Sequence, residues 1–201
     1  MSLNNLAITV RDLGDHAAAW WLLERVLGIY EKVFGPQHAN AALAFHNLAT
    51  ILVDLGDPAG SRLLTERARR VRAGSDDARF LSGSVTRLVG LDPPWNSYRA
   101  ARALLEHSLA IKEKALGPEH PSVALTLTTL ANVITKLGEP DRATPLYEPA
   151  LAIRRKSFGP EHLRVAETLD RLAESRVAAG DYAAAKPIYE QVLAITKRVN
   201  G

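Results

Sequence analysis

The chain has 201 residues, 47% of them hydrophobic, 23% charged and 6% aromatic, and 25 Lys and Arg against 22 Asp and Glu give a formal net charge of +3. That hydrophobic share excludes whole-chain disorder, no apolar run approaches the ~20 residues of a membrane helix, and the opening MSLNNLAITV lacks the order of a signal peptide. The absence of cysteine removes disulfides, thiolate metal sites and cysteine nucleophiles, and so small a positive excess does not point to nucleic acid.

A period organises the sequence from end to end. FGPQH at 34–38, LGPEH at 116–120 and FGPEH at 158–162 are variants of one segment, and Glu24, Glu66, Glu106, Glu148 and Glu190 are spaced 42, 40, 42 and 42 residues apart. Ten residues before each marker Glu stands a turn residue: Gly14, Gly56, Asn96, Gly138 and Gly180. Asn is the natural substitute where Gly serves a left-handed conformation. Five units are predicted, roughly 1–38, 43–76, 78–116, 122–158 and 164–199, with the two residues missing from the short spacing assigned to the loop Gly74-Ser75-Asp76-Asp77.

In chain order, each unit reads as two helices. The first helix of unit one carries Leu3, Leu6, Ala7 and Val10 at helical spacing; those of units two, four and five carry Phe45, Leu48, Ala49 and Leu52, then Leu127, Leu130, Ala131 and Ile134, then Leu169, Leu172 and Ala173. Gly or Asn closes this helix, and Asp15, Asp57, Ser97 or Asp181 follows as a candidate cap for the next. The second helix carries stripes such as Ala19, Leu22, Leu23 and Val26, and ends near Gly35, Gly117 or Gly159, each followed by Pro. Neither helix can bury its stripe alone, so the expected architecture is all-α, an α-solenoid of about five antiparallel helix pairs. Small side chains at Ala7, Ala49, Ala131 and Ala173 on the first helices, and at Ala19, Ser61, Ala101, Ala143 and Ala185 on the second, are the expected points of close backbone approach.

These features carry a resemblance. Asn4-Asn5-Leu6-Ala7, Leu13-Gly14-Asp15, Leu109-Ala110-Ile111, Gly117-Pro118-Glu119-His120-Pro121 and Pro187-Ile188-Tyr189-Glu190 resemble the tetratricopeptide repeat, and the 42-residue unit is similar to its kinesin-light-chain-like branch. The resemblance covers essentially the whole chain. It implies a right-handed superhelix, and a concave groove at Asn4, Ile8 and Arg11 in unit one, His46, Thr50 and Val53 in unit two, Thr128, Asn132 and Thr135 in unit four, and Asp170, Glu174 and Val177 in unit five. So polar and mixed a lining suits an extended peptide.

Unit three departs from the pattern: its first helix runs into Val89-Gly90-Leu91-Asp92-Pro93-Pro94-Trp95-Asn96 and is expected to stop about a turn early. Either it is a degenerate repeat in which Trp95 refills lost space, or it is a joint that faces a partner. Pro145 and Pro187 fall within second helices and are expected to shape them without breaking them. Arg67, Arg69, Arg70 and Arg72 crowd one side of the second helix of unit two, as a solvated face or a docking patch for an acidic peptide or phosphate.

His38, His120 and His162 recur at the same repeat position, 82 and 42 residues apart, too distant along a solenoid to share a metal ion, and are expected to pack over the Gly-Pro turn and bond a backbone group. No HExxH, P-loop, GxSxG or EF-hand pattern occurs. The expectation is therefore a non-catalytic module with no cofactor and no metal, binding a protein or peptide. The competing expectation is a structural, self-associating or regulatory segment of a larger protein, forming homo-oligomers through uncapped ends. Neither nucleic acid nor membrane is an expected partner. The absence of Cys and of a signal segment fits a cytoplasmic location, and the Ala, Arg and Gly usage fits a GC-rich bacterial genome.

Overall fold

The computed structural model describes residues 3–56 and 97–200, together with Val85. Every element among the described residues longer than one residue is an α-helix, and the chain divides into two compact units, residues 1–115 and 116–201. The expected cap Asp57, the Arg67, Arg69, Arg70 and Arg72 patch, Trp95 and the turn residue Asn96 lie outside the described residues.

The first unit contains α1 (Leu3–Asp12), α2 (His16–Phe34), α3 (Ala39–Leu55) and α4 (Ser97–Leu116). Gly14 turns the chain between α1 and α2 at φ +87°, and Asp15 Oδ1 accepts the Ala18 N–H at 3.0 Å. Gly56 ends α3 in the left-handed region, where an L side chain would be strained. The helices meet through small residues: Ala7, Ala19, Ala49 and Ala101 are all fully buried. Ser97 opens the described part of α4 and is itself buried. α4 lies directly against α3. Ser108 Oγ donates to the Ala42 carbonyl at 2.7 Å, and the Phe45 and His107 rings meet edge to face at 4.7 Å.

The second unit contains α5 (Pro121–Lys136), α6 (Pro140–Phe158), α7 (Leu163–Ala178) and α8 (Tyr182–Asn200). Gly138 and Gly180 reverse the chain within each pair, with φ of +82° and +79°. Asp181 Oδ1 caps α8 by accepting from Ala184 N at 3.1 Å, whereas Glu139 makes no cap bond and pairs with Arg142 at 2.6 Å. Ala131, Ala143, Ala173 and Ala185 are again in the core. α6 continues through Pro145 and Pro149 and α8 through Pro187; all three rings are exposed, on the side where solvent takes the freed carbonyls.

The recurring histidines cap the helices that follow them. Nδ1 of His38, His120 and His162 accepts the N–H of Asn40, Ser122 and Arg164 at 3.2, 3.1 and 3.1 Å. His38 also stacks on Phe34 at 4.8 Å and His162 lies 5.0 Å from Phe158. An Nδ1 that accepts places the ring proton on Nε2.

Candidate functional site

The exposed sides of the first helices of each pair are the surface to examine, and the two units treat them differently. In the first unit the Asn47 side-chain amide donates to Asn4 Oδ1 at 3.0 Å, bridging α3 to α1, and Thr50 Oγ1 donates to the Asn47 carbonyl at 2.7 Å. Arg11 Nη1 donates to Thr50 Oγ1 at 3.1 Å, and the guanidinium also meets Asp12 at 2.8 Å and Asp54 at 3.7 Å. Asn4 is 5% exposed and His46 4% exposed, so these two candidate groove residues are packed inside the unit. Burial, and then the positive charges of Lys112 and Arg11, push the His46 pKa down to about 3. Lys112 of α4 is itself buried, which lowers its pKa to about 8. What this face leaves half-exposed is Ile8, Arg11, Thr50 and Val53.

In the second unit the same repeat positions stay nearer the surface. Thr128, Asn132, Thr135 and Asp170 are half-buried; Glu174 and Val177 are exposed. Thr128 Oγ1 donates to the Ala124 carbonyl at 2.8 Å. Its proton is thereby committed to the helix backbone, so toward any further group this hydroxyl can act only as an acceptor. Thr135 Oγ1 bonds the Ala131 carbonyl at 3.0 Å and Ser175 Oγ at 3.1 Å, tying α5 to α7. Below it Tyr147, 1% exposed, is pushed up to about 12 by burial, against a hydrogen bond from Thr135 and the nearby Arg171. Arg171 pairs with Glu174 at 2.8 Å. On α8, the pKa of Tyr189 is raised by partial burial and then by the negative charges of Asp170 and Glu174. The lining of this unit thus carries two carboxylates, Asp170 and Glu174, beside hydroxyl and amide groups, with Arg171 paired to Glu174.

Among the described residues no group of three or more His, Cys, Asp or Glu could hold a metal ion, and no helix is long and apolar enough to cross a membrane. One open cleft, about 460 Å³, lies between the α6–α7 loop and the end of α8, lined by Phe158, Pro160, His162, Leu163 and Val199.

A sequence profile for the tetratricopeptide repeat matches residues 1–73 and 122–198, and a second profile of the same description matches residues 96–122. The chain belongs to the tetratricopeptide-repeat family. Its helix pairs follow that fold, and it is related to the kinesin-light-chain-like form of it. Over 128 residues, 62% of its length, this tetratricopeptide-repeat chain is 28% identical to a clustered mitochondria protein homolog of Meyerozyma guilliermondii, and it spans 10% of that protein's length. A kinesin-light-chain-type protein of nearly identical TPR-like repeats from Podosopora anserina superposes with a TM-score of 0.53 at 26% identity, covering 98% of this chain and 94% of that one. BtubC of P. vanneervenii, at 20% identity, shares the fold with a TM-score of 0.53 over 99% of this chain and 80% of its own. These relatives give no support to the bacterial source that the composition suggests.

Several tetratricopeptide-repeat positions that matter here were not evident from spacing. Asn47, Lys112 and Arg154 are buried polar residues; Arg154 Nη1 donates to the Arg164 carbonyl at 2.5 Å and lies 3.4 Å from the Glu167 carboxylate, tying α6 to the first turn of α7. The signal available was positional. Lys112 and Arg154 share one repeat position, held by Thr196 in the last helix, so a charge occurs twice there on the core side of the second helix.

Proposed function

We propose that the chain is a non-catalytic, cytoplasmic binding module that holds an extended, cationic peptide segment on the α5–α7 face of its second unit. The observation that carries this reading is the pair of carboxylates one turn apart on α7, Asp170 half-buried and Glu174 exposed, with Thr128 on the neighbouring α5 committing its hydroxyl proton to its own backbone. A Lys or Arg side chain brings positive charge to Asp170 and competes with the exposed Arg171 for Glu174, and an aromatic ring adds a surface for its stem. A groove of this kind is expected to bind in the micromolar range, about −8 kcal/mol. Titration of an arrayed set of lysine- and arginine-bearing peptides by fluorescence anisotropy tests it. Charge reversal at Asp170 and Glu174 together should weaken the best binders by at least about tenfold, or about 1.4 kcal/mol. Unchanged affinity overturns the reading.

Self-association is the second reading, and it has its own observation. On α8, Tyr182, Tyr189, Leu193 and Val199 are exposed, a run of large apolar groups on one helix that is more than the scattered exposure ordinary for a surface.

A further inference from the structure

We infer that Arg171 is a built-in occupant of the α5–α7 face, and that the face therefore selects extended segments with two basic side chains two residues apart. Asp170 takes the first cation, and the second displaces Arg171 from Glu174. This rests on the peptide-binding reading above and names its specificity.

The charges are particular to α7. At the repeat positions of Asp170, Arg171 and Glu174, α1 carries Asn4, Asn5 and Ile8, α3 carries His46, Asn47 and Thr50, and α5 carries Thr128, Thr129 and Asn132. His46, with its pKa of about 3, is neutral at pH 7, so none of these nine residues is charged there. Three first helices thus form and pack without the Asp-Arg-Glu set, and the fold does not call for it.

Arg171 stands on the side of α7 that meets α5. Asn47 holds the same position in α3, and its amide reaches across to Asn4 of α1. Arg171 Nη1 donates to Glu174 Oε2 at 2.8 Å, and both side chains are 47% exposed. The pKa of Arg171 is raised first by that hydrogen bond, and Asp170 adds its negative charge. An exposed pair of this kind is favoured over its open form by no more than about fivefold, so a competing cation can replace Arg171. Asp170 makes no ion pair among the described residues and receives a cation without displacing one.

Spacing sets the ligand. Asp170 and Glu174 lie four residues apart on one side of α7, a rise of about 6 Å. In an extended segment the side chains of one face recur at every second residue, about 6.5–7 Å apart. A segment lying along α7 with basic residues at i and i+2 therefore meets both carboxylates. Adjacent basic residues point to opposite faces, and a single one reaches Asp170 without unseating Arg171.

Fluorescence anisotropy with four labelled Gly/Ser peptides tests this on the 201-residue chain. Three carry two arginines, at i and i+1, i and i+2, or i and i+4, and the fourth carries one. The i, i+2 peptide should bind at least about fivefold more tightly than the others. Arg171→Gln should tighten that peptide by about threefold. Arg142→Gln removes the same charge from an exposed i, i+3 pair with Glu139 in the same unit, and should leave the affinity unchanged. Circular dichroism should report an unchanged helical signal for both variants. If no peptide binds, or if joint charge reversal at Asp170 and Glu174 changes no affinity, the peptide-binding reading falls and this inference with it. Binding without a spacing preference, or Arg171→Gln binding no tighter than Arg142→Gln, overturns the inference and leaves that reading standing. A preference for i and i+4 marks a helical ligand and overturns the extended segment in both.

Discussion

The first helices of the two units occupy the same repeat positions and use them for different ends. Asn4 and His46 are locked under α1, α3 and α4, while Thr128 and Asp170, their counterparts in the second unit, remain half-exposed on α5 and α7. A repeat position is therefore a location on a helix, and what packs on that location decides whether its side chain is structural or available. In the first unit the Asn4–Asn47 bond and the Arg11–Thr50 bond consume the polar groups between neighbouring helices. In the second, Thr135 likewise ties α5 to α7, while Thr128 donates to its own helix.

The contrast can be broken most strongly with acid. His46 has a folded-state pKa of about 3, below the ordinary value of 6.5, so the unfolded chain binds the extra proton between those limits. Stability from this site is fully present above pH 6.5 and is lost as pH falls toward 3, with a slope of up to about 1.4 kcal/mol per pH unit. His46→Gln should flatten that part of a urea-midpoint titration, whereas Asp170→Asn in the second unit should leave it in place. A wild-type profile with the same slope as His46→Gln would mean that the ring is solvated.

Next in size is Asn4→Leu, which strands the buried Asn47 amide and should cost about 1–3 kcal/mol in denaturant unfolding. Thr128→Leu, at the same repeat position, should stay within about 0.5 kcal/mol. Equal losses would erase the distinction between the two faces. His162→Ala removes the Nδ1 cap of α7 and should cost about 1 kcal/mol, with His162→Asn restoring most of it. A Tm unchanged by the alanine would show that water replaces the cap. Smallest is Glu174→Gln: its carboxylate is exposed and pairs only with the equally exposed Arg171 among the ion pairs described, so stability should move by less than about 0.5 kcal/mol. Its effect should appear in peptide affinity instead.

Local chemistry made most of the helix architecture legible. Period, Gly turns and the Asp15 and Asp181 caps are short-range features, and they place the helix pairs without knowledge of what lies above them. The buried alanines were legible for the same reason, because a small residue repeated at fixed spacing has few uses other than close packing. The groove was less so. That His46 is buried, and that the Lys112 charge from 66 positions further along the chain acts on it, no spacing encodes. Tyr189 and Leu193 are exposed where Tyr147 and Leu151, at the same repeat positions, are buried, a difference that depends on what packs on each helix and that no spacing encodes.

The boundary loops have a consequence for how such a chain can grow. Each described loop between pairs seals both of its flanks: Gly35, Gly117 or Gly159 turns the preceding helix aside at a φ of +85° to +89°, and His38, His120 or His162, three residues on, closes the next. Every pair thus arrives with its own stop and its own start. A duplication or deletion cut at one of these loops would join a finished helix end to a finished helix beginning, with no backbone group newly stranded. Gene-level lengthening and shortening in whole pairs is in this way nearly neutral for the helices on either side, and only the two terminal faces change neighbours.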